Sequence, residues 1–552
     1  MKLQHKLYFI ALGTLLFAST TSYAQKKLEE EIEFVRPYKP VLGDAIKIRR
    51  NPDFNDDNTT KPVLQYTQFD RQFNQNGNIS KVGAQALPSE GNAVLPLFYA
   101  KLGGGNLSSI LGEFFFNSAQ SPTEQYGFYY QAYTAKGEID NQNFSRNNVG
   151  LFGKFINESF TTTASLNYKQ NNNYYYGYDH ELFSYEKNDV LHKLNNFNGE
   201  VELASNIDPA KTFTYAVKLG GYAFSDNYSA KESNVYLNTI AGDNFGNFGG
   251  HVALNLDMNN YNDATKVKNH FFRLNPYVTL ERERLQSKLG LNFVSNFGDN
   301  SSFKIYPNVY AEYQAIDKYL SFFGGLNGDL QKNTLKDLSV RNPFLGSDIV
   351  LKNSNERLKI YAGLKGTIIT GLGFKVQFTS SSIDSLPFFA NNVVPANGTE
   401  PQTISEKYYV VYAGKKSNLS TITANLEYAA SDRLRLGFEF LSNSYDLTDI
   451  DKPWLTPKYR VNLSGTYQAM KNLSFTADLF NVSKQYALID PAVNSYKTLS
   501  GYTDLNISGN YQFHKNFGAF ANVNNILGKK YDLYLNYPSY GFNFIAGISV
   551  TF

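Results

Sequence analysis

In Arg433-Leu434-Arg435-Leu436-Gly437-Phe438-Glu439-Phe440 every second residue is apolar: Leu434, Leu436, Phe438 and Phe440 alternate with Arg433, Arg435, Gly437 and Glu439. A β-strand sends successive side chains to opposite faces, so this segment offers one face to an apolar medium and the other to water. The pattern recurs. Thr421 to Tyr428 sets Ile422, Ala424, Leu426 and Tyr428 against Thr421, Thr423, Asn425 and Glu427. Asn472 to Leu479 sets Leu473, Phe475, Ala477 and Leu479 against Ser474, Thr476 and Asp478. Thr503 to Tyr511 places Leu505, Ile507 and Tyr511 opposite Asp504, Asn506, Ser508 and Asn510. From Leu95 onward this alternation dominates the chain.

Strands of a soluble sandwich also alternate, but they average roughly five or six residues, whereas these runs reach about ten, the length a tilted strand needs to cross a bilayer. Backbone in lipid must satisfy its own hydrogen bonds, so long membrane strands imply a closed barrel. Tyrosines gather where the runs end, in Tyr174-Tyr175-Tyr176, Tyr408-Tyr409 and Tyr531 to Tyr537, as expected of girdles at the membrane interfaces.

Composition narrows the alternatives. The 552 residues include 43 Phe and 41 Tyr, yet only 18% are charged and the mean hydropathy is −0.38, so the aromatics need a specific place. The absence of cysteine excludes disulfides, thiolate zinc sites and thiol nucleophiles. Lys plus Arg number 52 against 49 Asp plus Glu, too even for nucleic acid to be a default partner. Six scattered histidines offer no His-rich metal site, and no cofactor is expected.

The N-terminus supplies the compartment. Lys2, His5 and Lys6 precede the apolar run Leu7 to Ala18, and Ser22-Tyr23-Ala24 ends in a small-x-small pattern, together a secretory signal over residues 1–24. The apolar run is shorter than the roughly 20 residues a spanning helix needs. Residues 25–94 form a charged, Pro-punctuated segment, expected in the periplasm or inside the lumen. Residues 95–552 form the barrel.

Connection lengths give topology. Very short turns fall at Asn157-Glu158, Arg282-Glu283, Thr370-Gly371, Ser431-Asp432, Met470-Lys471 and His514-Lys515. Long polar connections such as Asn171 to Asn188, Gly328 to Ser354 and Leu386 to Glu406 lie between them. Short periplasmic turns, long extracellular loops and both termini inside predict an all-β, antiparallel up-and-down barrel of about 22 strands, within roughly 20 to 24. Lys407 to Tyr412 is either a loop hairpin or an extension of the strand near Ser417. Gly103-Gly104-Gly105 reads as a flexible hairpin turn, since it lacks the Lys and helix of a phosphate loop. In the last strand Phe542, Phe544, Ala546, Ile548, Val550 and Phe552 share one face, and terminal Phe552 is the expected signal for the barrel-assembly machinery.

Here a family resemblance enters. Asn522-Val523-Asn524-Asn525-Ile526-Leu527-Gly528-Lys529-Lys530-Tyr531, followed by Tyr537-Pro538 and the closing strand, is similar to the penultimate hairpin of TonB-dependent outer-membrane receptors. Thr456-Pro457-Lys458-Tyr459-Arg460 resembles another element of that family. The resemblance implies a 22-stranded barrel in the outer membrane. Only Gln25 to Val94 stands where the family carries its plug, so fold and location carry over more than energised transport, and TonB coupling is not expected. Glu31-Ile32-Glu33-Phe34-Val35 faintly resembles a TonB box, but it is read as an ordinary short extended segment.

Catalytic and metal motifs are wanting. Asp53-Phe54-Asn55-Asp56-Asp57 opens like a calcium loop but has Asn58 and Leu64 where Gly and Glu are required. Asp179-His180-Glu181 is the one compact acid–histidine group, without a positioned nucleophile. His192, His251 and His270 read as polar lumen or interface residues. The chain is not expected to be an enzyme. Two functions stand: solute permeation through a lumen lined by Arg433, Arg435, Glu439, Asp478 and Asp504, or a barrel scaffold that binds other envelope proteins through its loops or residues 25–94.

Overall fold

The structure, a computed structural model, describes residues 96–119, 121–206, 212–394, 403–490 and 495–552. The expected signal peptide, residues 25–94, the TonB-box-like stretch and the calcium-loop-like stretch lie outside the described residues. Twenty-two strands form one antiparallel sheet. It runs from Phe98–Gly105 to Asn543–Thr551, and these two pair with each other, from Tyr99 with Thr551 to Gly105 with Ile545, closing the barrel. No sheet edge is left open to lipid. The strand over Lys231–Phe245 is a full barrel member, paired along both sides.

Alternation explains why each segment becomes a membrane strand. Leu436, Leu463, Phe475, Ile507 and Tyr511 lie exposed on the outer face. Between them Glu439, Ser464, Asp478, Asn506 and Ser508 turn inward. The inner wall is polar and cross-linked. Asparagine amides bond between strands, Asn167 to Asn148 at 2.6 Å and Asn296 to Asn269 at 2.9 Å on adjacent strands, and Asn308 to Asn275 at 2.9 Å across the strand between them. Charges pair: Lys218 lies 2.8 Å from Glu202, Lys332 2.6 Å from Asp257 and Lys365 2.7 Å from Glu312. Short amides and paired ions keep this wall compatible with water while leaving the outer face to lipid.

One expectation is corrected, and one open alternative is decided. Gly103-Gly104-Gly105 is not a turn but lies inside the first strand, between Ile110–Asn117 and the closing strand. The reason is proximity of backbone. A Cβ on Gly105 would collide with the Phe544 carbonyl oxygen, and one on Gly547 with that of Leu102, so the seam closes only where side chains are missing. Lys407 to Tyr412 belongs to a hairpin of its own, Pro387–Val394 with Thr403–Tyr412, outside the barrel sheet.

The terminal residue completes the seam. Phe552 N–H donates to the Phe98 carbonyl at 2.9 Å and the Phe98 N–H to the Phe552 carbonyl at 3.0 Å. Its ring stands exposed, with centroids 6.3 Å from Phe98 and from Phe517. Deleting Phe552 removes both bonds and the last outward aromatic. The expected outcome is a clear drop in folded protein in outer-membrane fractions, scored by heat-modifiable gel mobility; undiminished levels would count against its role in assembly.

Candidate functional site

The two-residue connections between barrel strands, such as 283–284, 370–371 and 515–516, lie at the end where Phe98 and Phe552 meet. The long ones leave the opposite, extracellular rim. Three of these, residues 175–190, 332–353 and 525–542, are rooted around the ring, with six, six and four strands between successive roots. They nevertheless touch. Phe344 stacks on Tyr537 at 3.7 Å between ring centroids and meets Tyr176 edge-on at 5.8 Å, while Tyr176 packs edge-to-face on Tyr537 at 4.8 Å. Loops from such separate roots can meet only across the barrel's mouth, so these rings form a junction at the centre of a lid.

Hydrogen bonds fix that junction. Tyr176 Oη donates to the Pro538 carbonyl at 2.9 Å, across 362 positions of sequence. Tyr175 Oη donates to the Leu345 carbonyl at 3.0 Å, and Tyr408 Oη to the Leu535 carbonyl at 2.9 Å. Gly177 admits the Tyr537 ring, which any Cβ there would strike. Tyr176 and Tyr408 are buried, and burial raises both phenols well above their ordinary range. A short helix, Leu335–Arg341, stiffens the middle loop. Thr334 Oγ1 accepts from the Asp337 N–H at 3.0 Å, and Glu232 on the barrel wall accepts from the Leu335 N–H at 2.6 Å. The lid is thereby tied to the wall as well as to itself.

This corrects the expected girdle. Tyr174, Tyr175, Tyr176, Tyr408, Tyr534 and Tyr537 are buried together in one cluster with Leu335, Leu338, Phe344 and Leu345. Loops that fold over a mouth need a core of their own, and aromatic rings supply the most area per residue. The lipid-facing aromatics are others, among them Tyr126, Phe303, Tyr313 and Tyr467.

Beside this core lies a cavity of about 60 Å³ lined by Arg341, Pro387, Phe388, Asn443, Tyr445 and Arg460, among other residues. Arg341 Nη2 donates to the Pro387 carbonyl at 3.2 Å, and its guanidinium lies 5.2 Å from the Phe389 ring centroid. Its Nε is shielded from solvent and, among the described residues, has no hydrogen-bond partner. Burial lowers the guanidinium's affinity for its proton.

The sequence-expected lumen residues are spread along the wall. Glu439 Oε2 accepts from Asn462 at 3.4 Å, Asp478 stands opposite Ser464, and Arg435 opposite Thr466. Arg433 occupies the periplasmic turn, exposed, its N–H on Ser431 Oγ at 3.2 Å. Asp504 is buried below the last long loop, accepting from Tyr531 Oη at 2.7 Å beside a second cavity of about 40 Å³. They do not form one cluster. Among the described residues no group of three His, Cys, Asp or Glu side chains could hold a metal, and no helix is long and apolar enough to cross a membrane. His180 Nε2 lies 2.9 Å from the Tyr176 carbonyl and Asp179 caps its own turn, so that acid–histidine group serves the loop's shape. Sequence reasoning missed Arg341, an isolated charge in a polar connection. It did single out Thr456 to Arg460, and Thr456, Pro457 and Arg460 line the same cavity as Arg341.

No protein-family model and no curated protein matches the chain. Solved structures do. The pyoverdine outer membrane receptor FpvA from Pseudomonas aeruginosa PAO1 aligns with a TM-score of 0.63 at 11% identity, over 84% of this chain and 79% of that one. The siderophore receptor PirA from Acinetobacter baumannii gives 0.62 at 11%, over 82% and 80%. The ferric-catecholate import receptor Fiu from Escherichia coli K12 gives 0.61 at 11%, over 83% and 82%. At these identities the likeness is one of fold. The chain is a closed 22-stranded outer-membrane β-barrel, like the barrels of TonB-dependent receptors in architecture.

Proposed function

We propose that the protein is an outer-membrane receptor that takes up a solute beneath its loop lid and passes it through the barrel. The observation that carries this is the junction of Phe344, Tyr176 and Tyr537, which ties loops from around the ring together over the mouth. A permanently open pore has no use for such a closure, whereas a gated receptor needs one. The polar inner wall supports the same reading, with Arg435, Glu439 and Asp478 as contact points for a passing solute. The barrels it resembles in fold belong to receptors, one of them solved with pyoverdine bound. Flux of labelled solutes into liposomes bearing the purified protein tests the reading. Low flux that rises when the lid is opened supports it. A barrel that never conducts, yet retains envelope proteins through its loops, would favour the scaffold instead.

Residues 25–94 are proposed to lie in the lumen, where Arg36, Lys47, Arg49 and Arg50 could meet inward carboxylates such as Glu439 and Asp478. Charge-assisted contacts shielded from water are stronger than exposed pairs. Removing Lys27 to Asn92 should leave the barrel inserted and increase passage of large hydrophilic solutes. Unchanged flux together with loss of co-purifying proteins would make the segment a partner-binding arm.

A further inference from the structure

We infer that the cavity between Arg341 and the wall strand Tyr459–Met470 binds an oxyanion, a carboxylate or phosphate group carried by the solute, with the Arg341 guanidinium as its main ligand. Arg341 ends the lid helix, and among the described residues it makes no ion pair. Of its five N–H donors, one is given to the Pro387 carbonyl. Among the described residues its Nε, cut off from water, has no hydrogen-bond partner, at a site where an unmet donor is costly. A planar fork with donors to spare is the arrangement that takes a carboxylate or phosphate through two parallel bonds.

The surroundings select for the same chemistry. Arg460 lines the cavity from the barrel wall and adds a second positive charge. Asn443 presents an amide whose oxygen is already engaged by Thr421 Oγ1 at 2.9 Å, leaving its NH₂ as the group to offer. Phe388 and Tyr445, packed edge-to-face at 5.7 Å, give the cavity an apolar side for the carbon skeleton behind the anion. Among the described residues no carboxylate lines the cavity. The lid contributes Arg341 and the wall Arg460, so an anion held by both would bind the closed mouth better than the open one and couple capture to closure. The inference rests on the uptake reading for its physiological meaning, but not for its test.

The chain supplies its own reporter. Its one tryptophan, Trp454, is buried in a cluster with Phe388. Thr456, which lines the cavity, donates through Oγ1 to the Trp454 carbonyl at 3.2 Å. Sodium benzoate, inorganic phosphate and neutral benzamide would be titrated into the detergent-purified full chain while Trp454 emission is followed. Benzoate or phosphate is expected to give a saturable change and benzamide none; whichever anion acts identifies the group. Arg341→Gln should weaken that anion by about tenfold or more, and Arg341→Lys by less, because Lys keeps the charge and loses the fork. Arg284→Gln, exposed in the periplasmic turn 283–284, should bind as wild type. Heat-modifiable mobility checks that each variant is folded. Equal responses to benzoate and benzamide, no response to either anion, or unweakened binding by folded Arg341→Gln would each overturn the inference. Liposome flux, measured separately, would still decide the uptake reading.

Discussion

Replacing Phe344 with Ala should unfasten the lid and turn a closed barrel into a leaky one. Phe344 is only 9% exposed, and its ring touches Tyr176, Tyr534 and Tyr537. Truncating a buried phenylalanine costs about 3–5 kcal/mol. The loss falls on the loop cluster rather than on the barrel ladder, because Phe344 contributes nothing to the membrane sheet. Each 1.4 kcal/mol is about tenfold in an equilibrium, so even the lower figure raises the open fraction by about a hundredfold or more. Flux of oligosaccharide-sized solutes into liposomes should rise accordingly, while resistance of the barrel to SDS at room temperature stays as in the wild type. Tyr537→Ala should act in the same direction, and the two together should give less than the sum, since both break one junction. Val350→Ala, exposed in the same loop, serves as the control and should do nothing. Flux unchanged in both junction variants would mean that the mouth is closed elsewhere.

A charge on the lipid face should be the second large effect. Leu463 is 43% exposed and paired with Phe438 and Leu479, which share its outward face. Lysine at a lipid-facing position near the midplane of a barrel costs about 2–4 kcal/mol. The next residue, Ser464, points inward and stands opposite Asp478. Leu463→Lys should therefore lower the urea midpoint of the folded barrel in lipid, whereas Ser464→Lys gains a carboxylate to face and should remain close to wild type. Comparable losses from both substitutions would refute the assignment of faces along this strand.

The two predictions draw on different layers of information. The Leu463 and Ser464 pair follows from period-two alternation, a property of the backbone that any single strand displays. Alternation in segments such as Arg433 to Phe440, with turn lengths, was enough for barrel closure, strand number and facing, because each strand's apolar medium is lipid and needs no knowledge of distant residues. The order of strands followed too, since short turns force sequential neighbours to pair.

The Phe344 junction could not be read that way. Tyr174 to Tyr176 and Tyr531 to Tyr537 have the composition of an interface girdle and were expected there. What places them in a lid core is contact between loops as far apart as 362 positions, as from Tyr176 to Pro538, and no local pattern encodes it. The same holds for Gly103 to Gly105, whose meaning depends on the closing strand at the other end of the chain. It holds for Arg341 as well, an isolated charge until the Pro387 hairpin and the wall strand enclose it. Sequence by itself determined the barrel, because membrane strands are specified by local periodicity against a uniform solvent. The closed mouth and its cationic cavity were decided by tertiary structure alone, because loop packing is specified by long-range contacts whose energy appears only once the ring has brought the loops together.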